Sequence, residues 1–299
     1  MGAFFLIKMP IIFVFILVGV IWSTTPLTIK WSAVGSSPEF AVFSRMLIGF
    51  LVCVLILFIK KQKINLSKKA LIHYFIAGLG IWVTMSIIYL ASQYIVSGFI
   101  SVVFGFTPII TGIFALWLLQ EKSFTFKKAL GISIAILGLF LIFKQALLVG
   151  EKSLLGLILV FMGMSFQALI AVLVKKHYAQ VSALETTTGA LAMSLIPLFL
   201  IWFVADGSVP ILDIKTTLSI LYLGVFGSVI GFVGYYYLIK NLTANEVALM
   251  PLITPIFALF FGYLFNNEQL SLIEINGVLF ILLGLGIYLF GKIKLFPSS

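Results

Sequence analysis

The sequence predicts an all-α integral membrane protein whose ten transmembrane helices form two inverted five-helix halves. Three observations carry that prediction. The 299 residues are 62% hydrophobic and only 9% charged, with a mean hydropathy of +1.25, a composition no water-soluble surface can carry. Apolar stretches of about 20 residues recur from end to end, each long enough to cross a hydrocarbon core of roughly 30 Å as a helix. The segment TPIITGIFALWLLQE (Thr107 to Glu121) also aligns without a gap on TPIFALFFGYLFNNE (Thr254 to Glu268), so the two halves echo each other.

The apolar runs are long, rich in Leu, Ile, Phe, Ala and Gly, and lack period-two alternation, which selects helices over barrel strands. Spans are expected near 10 to 30, 38 to 59, 70 to 90, 94 to 119, 127 to 144, 153 to 174, 185 to 204, 215 to 238, 244 to 265 and 272 to 291. In the first, Lys8 precedes an apolar run that continues past Trp22 with no small-x-small cleavage site, so it reads as a retained helix and not a signal peptide. Pro26 cannot donate to the carbonyl of Trp22, while Ser23, Thr24 and Thr25 offer hydroxyls to repair the ladder, so a kink is expected there. The second span carries Arg45, the sole arginine of the chain. A charge at that depth costs about 2.5–3.5 kcal/mol on insertion scales, so it must serve a structural bond to helix-end carbonyls or an anion.

Further along, Trp82 lies mid-span in the third helix and Phe104 in the fourth. Trp31, Trp117 and Trp202 fall at span ends, where the amphipathic ring prefers the interface. Gln167 corresponds to Ser23 when Gly19 is aligned on Gly163, and Tyr235 and Met250 can supply an adaptable wall. Pro108 and Pro255 hold matching places in the halves and free the carbonyls of Phe104 and Pro251; Pro251 frees that of Val247. Beyond each echoing segment comes a helix with two glycines nearly two turns apart, Gly131 with Gly138 and Gly277 with Gly284, each pair marking a close-packing face.

With the N-terminus in the cytoplasm, fourteen lysines fall in inside segments and four, Lys30, Lys144, Lys152 and Lys215, outside. Both termini are therefore expected inside, and the net charge of +10 needs no nucleic-acid partner. Each half holds an odd number of spans, so the second must enter the membrane from the opposite side. Inverted repeats of this kind let the halves exchange conformations and open one cavity to either side in turn.

Other classes find little support. The carboxylates all fall in loops or near span ends, so no buried proton relay is visible. His73 and His177 lie near cytoplasmic span ends, and the sequence has no His-Glu-x-x-His, no Gly-x-Ser-x-Gly and no paired-aspartate motif, which excludes the common intramembrane enzymes. The lone cysteine, Cys53, can form no internal disulfide. Loops are too short for a receptor, and no charged ring or filter motif suggests a channel.

Taken together, Trp22-Ser23, the segment Pro38 to Arg45, and the two Pro-to-Glu segments followed by glycine-rich helices resemble the EamA family of the drug/metabolite transporter superfamily. The resemblance covers nearly the whole chain. It implies two EamA repeats, residues 1–147 and 148–299, and carriage of small metabolites such as amino acids across the bacterial inner (plasma) membrane, mostly as export. The alternative is an uptake permease or exchanger for a preformed metabolite or cofactor such as S-adenosylmethionine. Ser23 and Thr25 stand where the family often has Gly and Asn, and the second repeat has no counterpart of Arg45. The expected substrate-binding residues are Trp22, Ser23, Arg45, Trp82, Phe104, Gln167, Tyr235 and Met250, with Pro26, Pro108, Pro251 and Pro255 as hinges. The expected partners are a small-molecule substrate and the lipid bilayer, with no catalytic residue, metal, cofactor or nucleic acid; the oligomeric state is left open, a monomer being one option.

Overall fold

Inside a bilayer every backbone polar group must be satisfied by the chain itself, which long apolar runs achieve only as helices or closed barrels. The computed structural model describes residues 10–120, 126–149, 151–211, 213–252, 254–267, 269 and 271–289, and among them the chain is helical and has no strand. Helices α1 (Ile11–Ser32), α2 (Pro38–Ile59) and α3 (Lys68–Ala91) are single spans; α4 (Ser97–Phe104) and α5 (Thr107–Leu119) share the fourth, and α6 (Phe126–Val149) is the fifth. In the second half α7 (Glu151–Lys176) and α8 (Ala183–Ala205) are whole spans. A π-helical stretch, Leu223–Ile230, joins α9 (Ile214–Tyr222) to α10 (Gly231–Asn241). The ninth span comprises α11 (Ala244–Val247), a 3₁₀ turn (Met250–Leu252) and α12 (Thr254–Asn266), and α13 (Leu272–Leu289) is the tenth. Seven spans are long and apolar enough to cross a membrane, and shorter apolar stretches within α6, α12 and α13 supply the others. Lys8, Lys122, Lys292 and Lys294, and the glutamates Glu121 and Glu268 that end the echoing segments, lie outside the described residues.

Helix starts are written in the sequence. Ser37 and Ser67 cap α2 and α3 by accepting from Phe40 N and Ala70 N. Ser182 with Glu185 and Thr243 with Glu246 form reciprocal capping boxes at α8 and α11. Ser271 and Glu274 exchange the same two bonds at α13, at 2.7 and 3.3 Å. Asp213 caps α9 through Thr216 N at 2.6 Å; that N–H and the Thr216 hydroxyl hold its carboxyl below the usual carboxylate range. These carboxylates are thus spent on helix ends.

The fourth span departs from the continuous helix expected over 94–119: it breaks at Gly105–Phe106, before Thr107-Pro108. The ninth breaks at the equivalent place, before Thr254-Pro255. Both prolines occupy the second residue of a new helix, where a missing N–H leaves nothing unsatisfied. Both freed carbonyls are recovered in the same way: Thr107 Oγ1 donates to Phe104 O at 2.5 Å, and Thr254 Oγ1 to Pro251 O at 2.8 Å. The Thr-Pro pair is therefore a repeated device that restarts a helix inside the bundle.

The broken spans show how the halves are related. α4 packs on α12 and α5 packs on α11, so the first part of each broken span meets the last part of the other and the two cross antiparallel. The glycine helices α6 and α13 do the same along one seam. A Cβ added at Gly138 would meet Gly277 O and Ile281, and one at Gly284 would meet Gly131 O and Ala135, so each glycine faces the non-equivalent glycine of the other repeat. That pattern is a two-fold axis lying across both helices, and it pairs the glycine faces within one chain. The repeats are inverted and interlocked: α3 packs on α7 and α8, α2 on α8 and the π-helical stretch, and α1 on α9, α10 and α12.

Candidate functional site

Around the crossing of the broken spans the bundle leaves a cavity of about 570 Å³. Its walls include two equivalent pairs, Met85 of α3 with Phe232 of α10 and Phe104 of α4 with Pro251, together with Trp22 of α1 and Gln167 of α7. Both pairs share the offset that relates Thr107 to Thr254. α1 adds Thr25, Pro26 and Ile29, which with Trp22 follow the i, i+3, i+4, i+7 spacing of one helical face. α2 contributes Arg45 alone.

Arg45 reaches the cavity because α9–α10 has no side chains in the way. Gly224, Gly227, Gly231 and Gly234 form a file along this span: a Cβ at Gly227 would lie 2.9 Å from Arg45 Nη2, and one at Gly231 would lie 2.6 Å from Trp22 Nε1. The π-helical stretch brings Ser228 to the guanidinium, whose Nε donates to Ser228 Oγ at 3.0 Å. Ser228 directs its own proton to Met46 Sδ at 3.6 Å, leaving its oxygen free to accept. π-helical insertions of this kind concentrate at functional sites. Arg45 is 1% exposed, and its Nη1 has no hydrogen-bond partner.

Trp22 anchors an aromatic wall, its ring 5.2 Å from that of Tyr235 and 6.4 Å, edge-on, from that of Phe232. Tyr235 and Gln167 stand together on the border of a second cavity. That cavity, of about 350 Å³, lies beyond this wall, also borders Met85 and Phe232, and is lined further by Tyr236 and Ile239. It shares Val174, Tyr236 and Ile239 with a third of about 220 Å³, where His73, Tyr178 and Lys240 stand. A narrowing file of voids thus runs from the centre toward the face at which α1 begins. Toward the opposite face, a larger cavity of about 990 Å³ is bordered by Lys30, Gln93, Tyr94, Gln269 and Glu274.

Both ends of this line are tied by polar contacts, those of Lys30 and Lys175 within one half and the others between the halves. At the α1 C-terminal end, Trp31 Nε1 donates to Asn266 Oδ1 at 3.0 Å, Lys215 Nζ lies 4.3 Å over the Trp31 ring, and Lys30 Nζ donates to Ile95 O at 3.0 Å. At the other end, Lys175 Nζ donates to Ile239 O and Leu242 O, and Glu185 accepts from Gln62 Nε2 and Asn65 N. His73 bridges His177 O and Thr186 Oγ1.

Of the residues singled out from the sequence, Trp22, Pro26, Arg45, Phe104, Gln167 and Pro251 line the central cavity, and Tyr235 lines the second. Ser23 does not reach it. Its Oγ donates back to Gly19 O at 2.7 Å, and it sits about 100° around α1 from Trp22 at the usual turn per residue. Trp82 is likewise turned away, because the inner face of α3 runs through Ile81, Met85 and Ile88. Met250, the first residue of the 3₁₀ turn, is fully buried in the core. Pro108 lies in the wall of the bundle at the start of α5, and Pro255 opens α12. Pro26 leaves α1 unbroken, with the Thr24 and Thr25 hydroxyls both on Ile21 O, one carbonyl before the one the proline frees. Trp202 differs from an interfacial anchor: its ring is buried, stacked on Phe43, and only Nε1 reaches a loop carbonyl, Ser208 O. Met85, Ser101, Phe232, Ser228 and the glycine file went unseen in the sequence, and Thr25 was read there only as a hydroxyl near the proline and a departure from the family pattern; the signal for the glycine file was the run GVFGSVIGFVG at 224–234.

The sequence profile described as the EamA-like transporter family matches residues 9–144 and again 154–290. The transporter YoaV of Bacillus subtilis is 26% identical over 275 residues, covering 90% of this chain and 92% of its own. A transporter of Archaeoglobus fulgidus is 28% identical, covering 88% and 93%, and protein PagO of Salmonella typhimurium is 26% identical, covering 89% and 90%. A solved structure titled "Crystal structure of protein" superposes with a TM-score of 0.70 at 12% identity over 93% of this chain and 96% of its own, a likeness of fold.

Proposed function

The chain belongs to the EamA-like transporter family, a multi-pass membrane transporter and not an enzyme, and from that premise we propose that it is a secondary carrier working by alternating access. One observation carries the reading: a single cavity sits where two antiparallel broken helices cross, walled by equivalent residues of both repeats. Because the halves are related by a two-fold axis across the bundle, exchanging their conformations would close the file of voids on one side and open the cavity at the other. Arg45, Trp22, Phe104 and Gln167 are the substrate-facing residues in this reading, and the restarts at Thr107-Pro108 and Thr254-Pro255, with Pro26 and Pro251, are its points of flexure.

The lysine distribution supports a cytoplasmic location for both termini in a bacterial inner membrane, with Lys30 and Lys215 outside. The substrates we propose are small metabolites such as amino acids, moved outward, the direction that the family resemblance implies. The test is flux in proteoliposomes loaded with a metabolite mixture and followed by mass spectrometry in both directions. Saturable movement of one compound class supports the carrier. Single-channel currents, or no flux of any compound, would overturn it.

A further inference from the structure

We propose that the central cavity is built for an organic anion, a carboxylate carried on an apolar body, with Arg45 Nη1 as the group that receives the charge. This rests on the carrier reading above and names its substrate class. A guanidinium has five donors, and here the fold satisfies Nε through Ser228 while Nη1, in a side chain that lines the cavity, is buried without a hydrogen-bond partner. An unpaired charge so placed is costly, and the usual remedy is an internal carboxylate. This chain instead spends Glu185, Glu246, Glu274 and Asp213 on helix caps at the ends of the bundle.

The chain goes to some length to keep the guanidinium where it is. Gly227 clears the space beside Nη2, the π-helical stretch delivers Ser228, and Met46 takes the serine proton so that the oxygen points at Nε. A fixed planar fork suits a carboxylate, which accepts with two oxygens in one plane. The remaining walls are apolar or aromatic, Trp22, Phe104, Phe232 and Ile88 among them, with Thr25, Ser101 and Gln167 as neutral polar contacts. Among the described residues no acidic side chain lines the cavity to receive an ammonium, so the carboxylate is the group the site selects.

Arg45 is the only arginine, so an arginine-directed reagent modifies the unaltered protein at one place. The purified chain in detergent is treated with phenylglyoxal, modification being read by intact mass, alone and with three probes of matched carbon skeleton: 4-methyl-2-oxopentanoate, leucine and 3-methylbutylamine. We expect modification in the folded protein, slowed about tenfold or more by the two carboxylates at saturation and unaffected by the amine. Protection by the oxo acid and leucine alike assigns recognition to the carboxylate, and protection by leucine alone adds the ammonium as a second determinant. Equal protection by the amine, or no modification until the protein is denatured, overturns the inference. A second arm measures binding of the same probes by tryptophan fluorescence in Arg45→Lys and Arg45→Gln: the lysine variant should retain weakened binding and the glutamine variant none. Undiminished binding in Arg45→Gln would also overturn it. Flux separates the two readings: amine transport by an unprotected Arg45 leaves the carrier standing and sinks the anion, whereas protected Arg45 without flux does the reverse.

Discussion

Replacing Gly138 with valine tests the two-fold seam at its tightest point. An added Cβ there meets Gly277 O and lies 2.7 Å from Ile281 N, both backbone atoms of α13 that cannot retreat alone. Ordinary carbon contacts lie near 3.5–4.0 Å, so α13 must move back by about 0.8–1.3 Å, and a gap of about 0.5–1 Å already forfeits a quarter to a half of each contact it opens. Ala135, Ile142 and Ile281, all buried along this seam, lose packing at once. Overpacking of this kind costs about 1–3 kcal/mol. At about 1.4 kcal/mol per tenfold, the folded-to-unfolded ratio falls by about 5- to 150-fold. Gly286→Val is the control: it makes the same change of helix propensity on the facing helix α13, but its Cβ meets nothing within 4 Å. Thermal unfolding in detergent, followed by tryptophan fluorescence, should show Gly138→Val melting clearly below Gly286→Val, with Gly277→Val close to Gly138→Val. Coincident melting curves for Gly138→Val and Gly286→Val would refute the antiparallel glycine seam.

Three further outcomes are expected. Trp22→Ala should cut flux in proteoliposomes about tenfold or more, whereas Trp82→Ala should leave it within about twofold, since only the first ring borders the cavity. Equal losses would move the cavity elsewhere. Gly231→Ala should lower stability by about 1–3 kcal/mol by pressing on Trp22 Nε1, and Trp22→Phe should recover part of that loss; strict additivity in the double variant would mean the two do not touch. Lys175→Met leaves the carbonyls of Ile239 and Leu242 without their charged donor, worth about 1.5–3 kcal/mol, and should speed amide exchange at the end of α10 and the start of α11. An unchanged exchange pattern there would show that lysine to be dispensable.

Much of the architecture was legible because it obeys simple counting. Span lengths followed from apolar run length, and inversion followed from an odd number of spans per half, which the antiparallel crossings of α4 with α12 and α6 with α13 display directly. The breaks in the fourth and ninth spans were only half legible. Thr-Pro pointed to freed carbonyls, but the hydroxyl that recovers each one depends on a side-chain rotamer that composition does not specify. At the site, Trp22, Arg45 and Gln167 could be found because they are chemically unusual for their depth. Ser23 misled for a physical reason: a helical serine prefers the carbonyl one turn back, so polarity alone does not say which way it faces. Trp82 misled because depth was known and azimuth was not. The glycine file of α9–α10 went unread because glycine was weighed only where it repeats between halves, and this file serves Arg45, which has no counterpart in the second repeat.

Near-symmetry has a thermodynamic corollary. Two states generated by swapping the shapes of equivalent halves would be degenerate if the halves were identical, so the resting population is set by whatever breaks the equivalence. One such break is a compact group at the cavity: the guanidinium on α2, the serine that holds it and the widened helical turn that carries the serine. An energy gap of about 1.4 kcal/mol between the states already gives a tenfold bias. Changes confined to those few positions would therefore retune which side the empty protein faces, while substitutions shared by both halves would leave the balance nearly where it was.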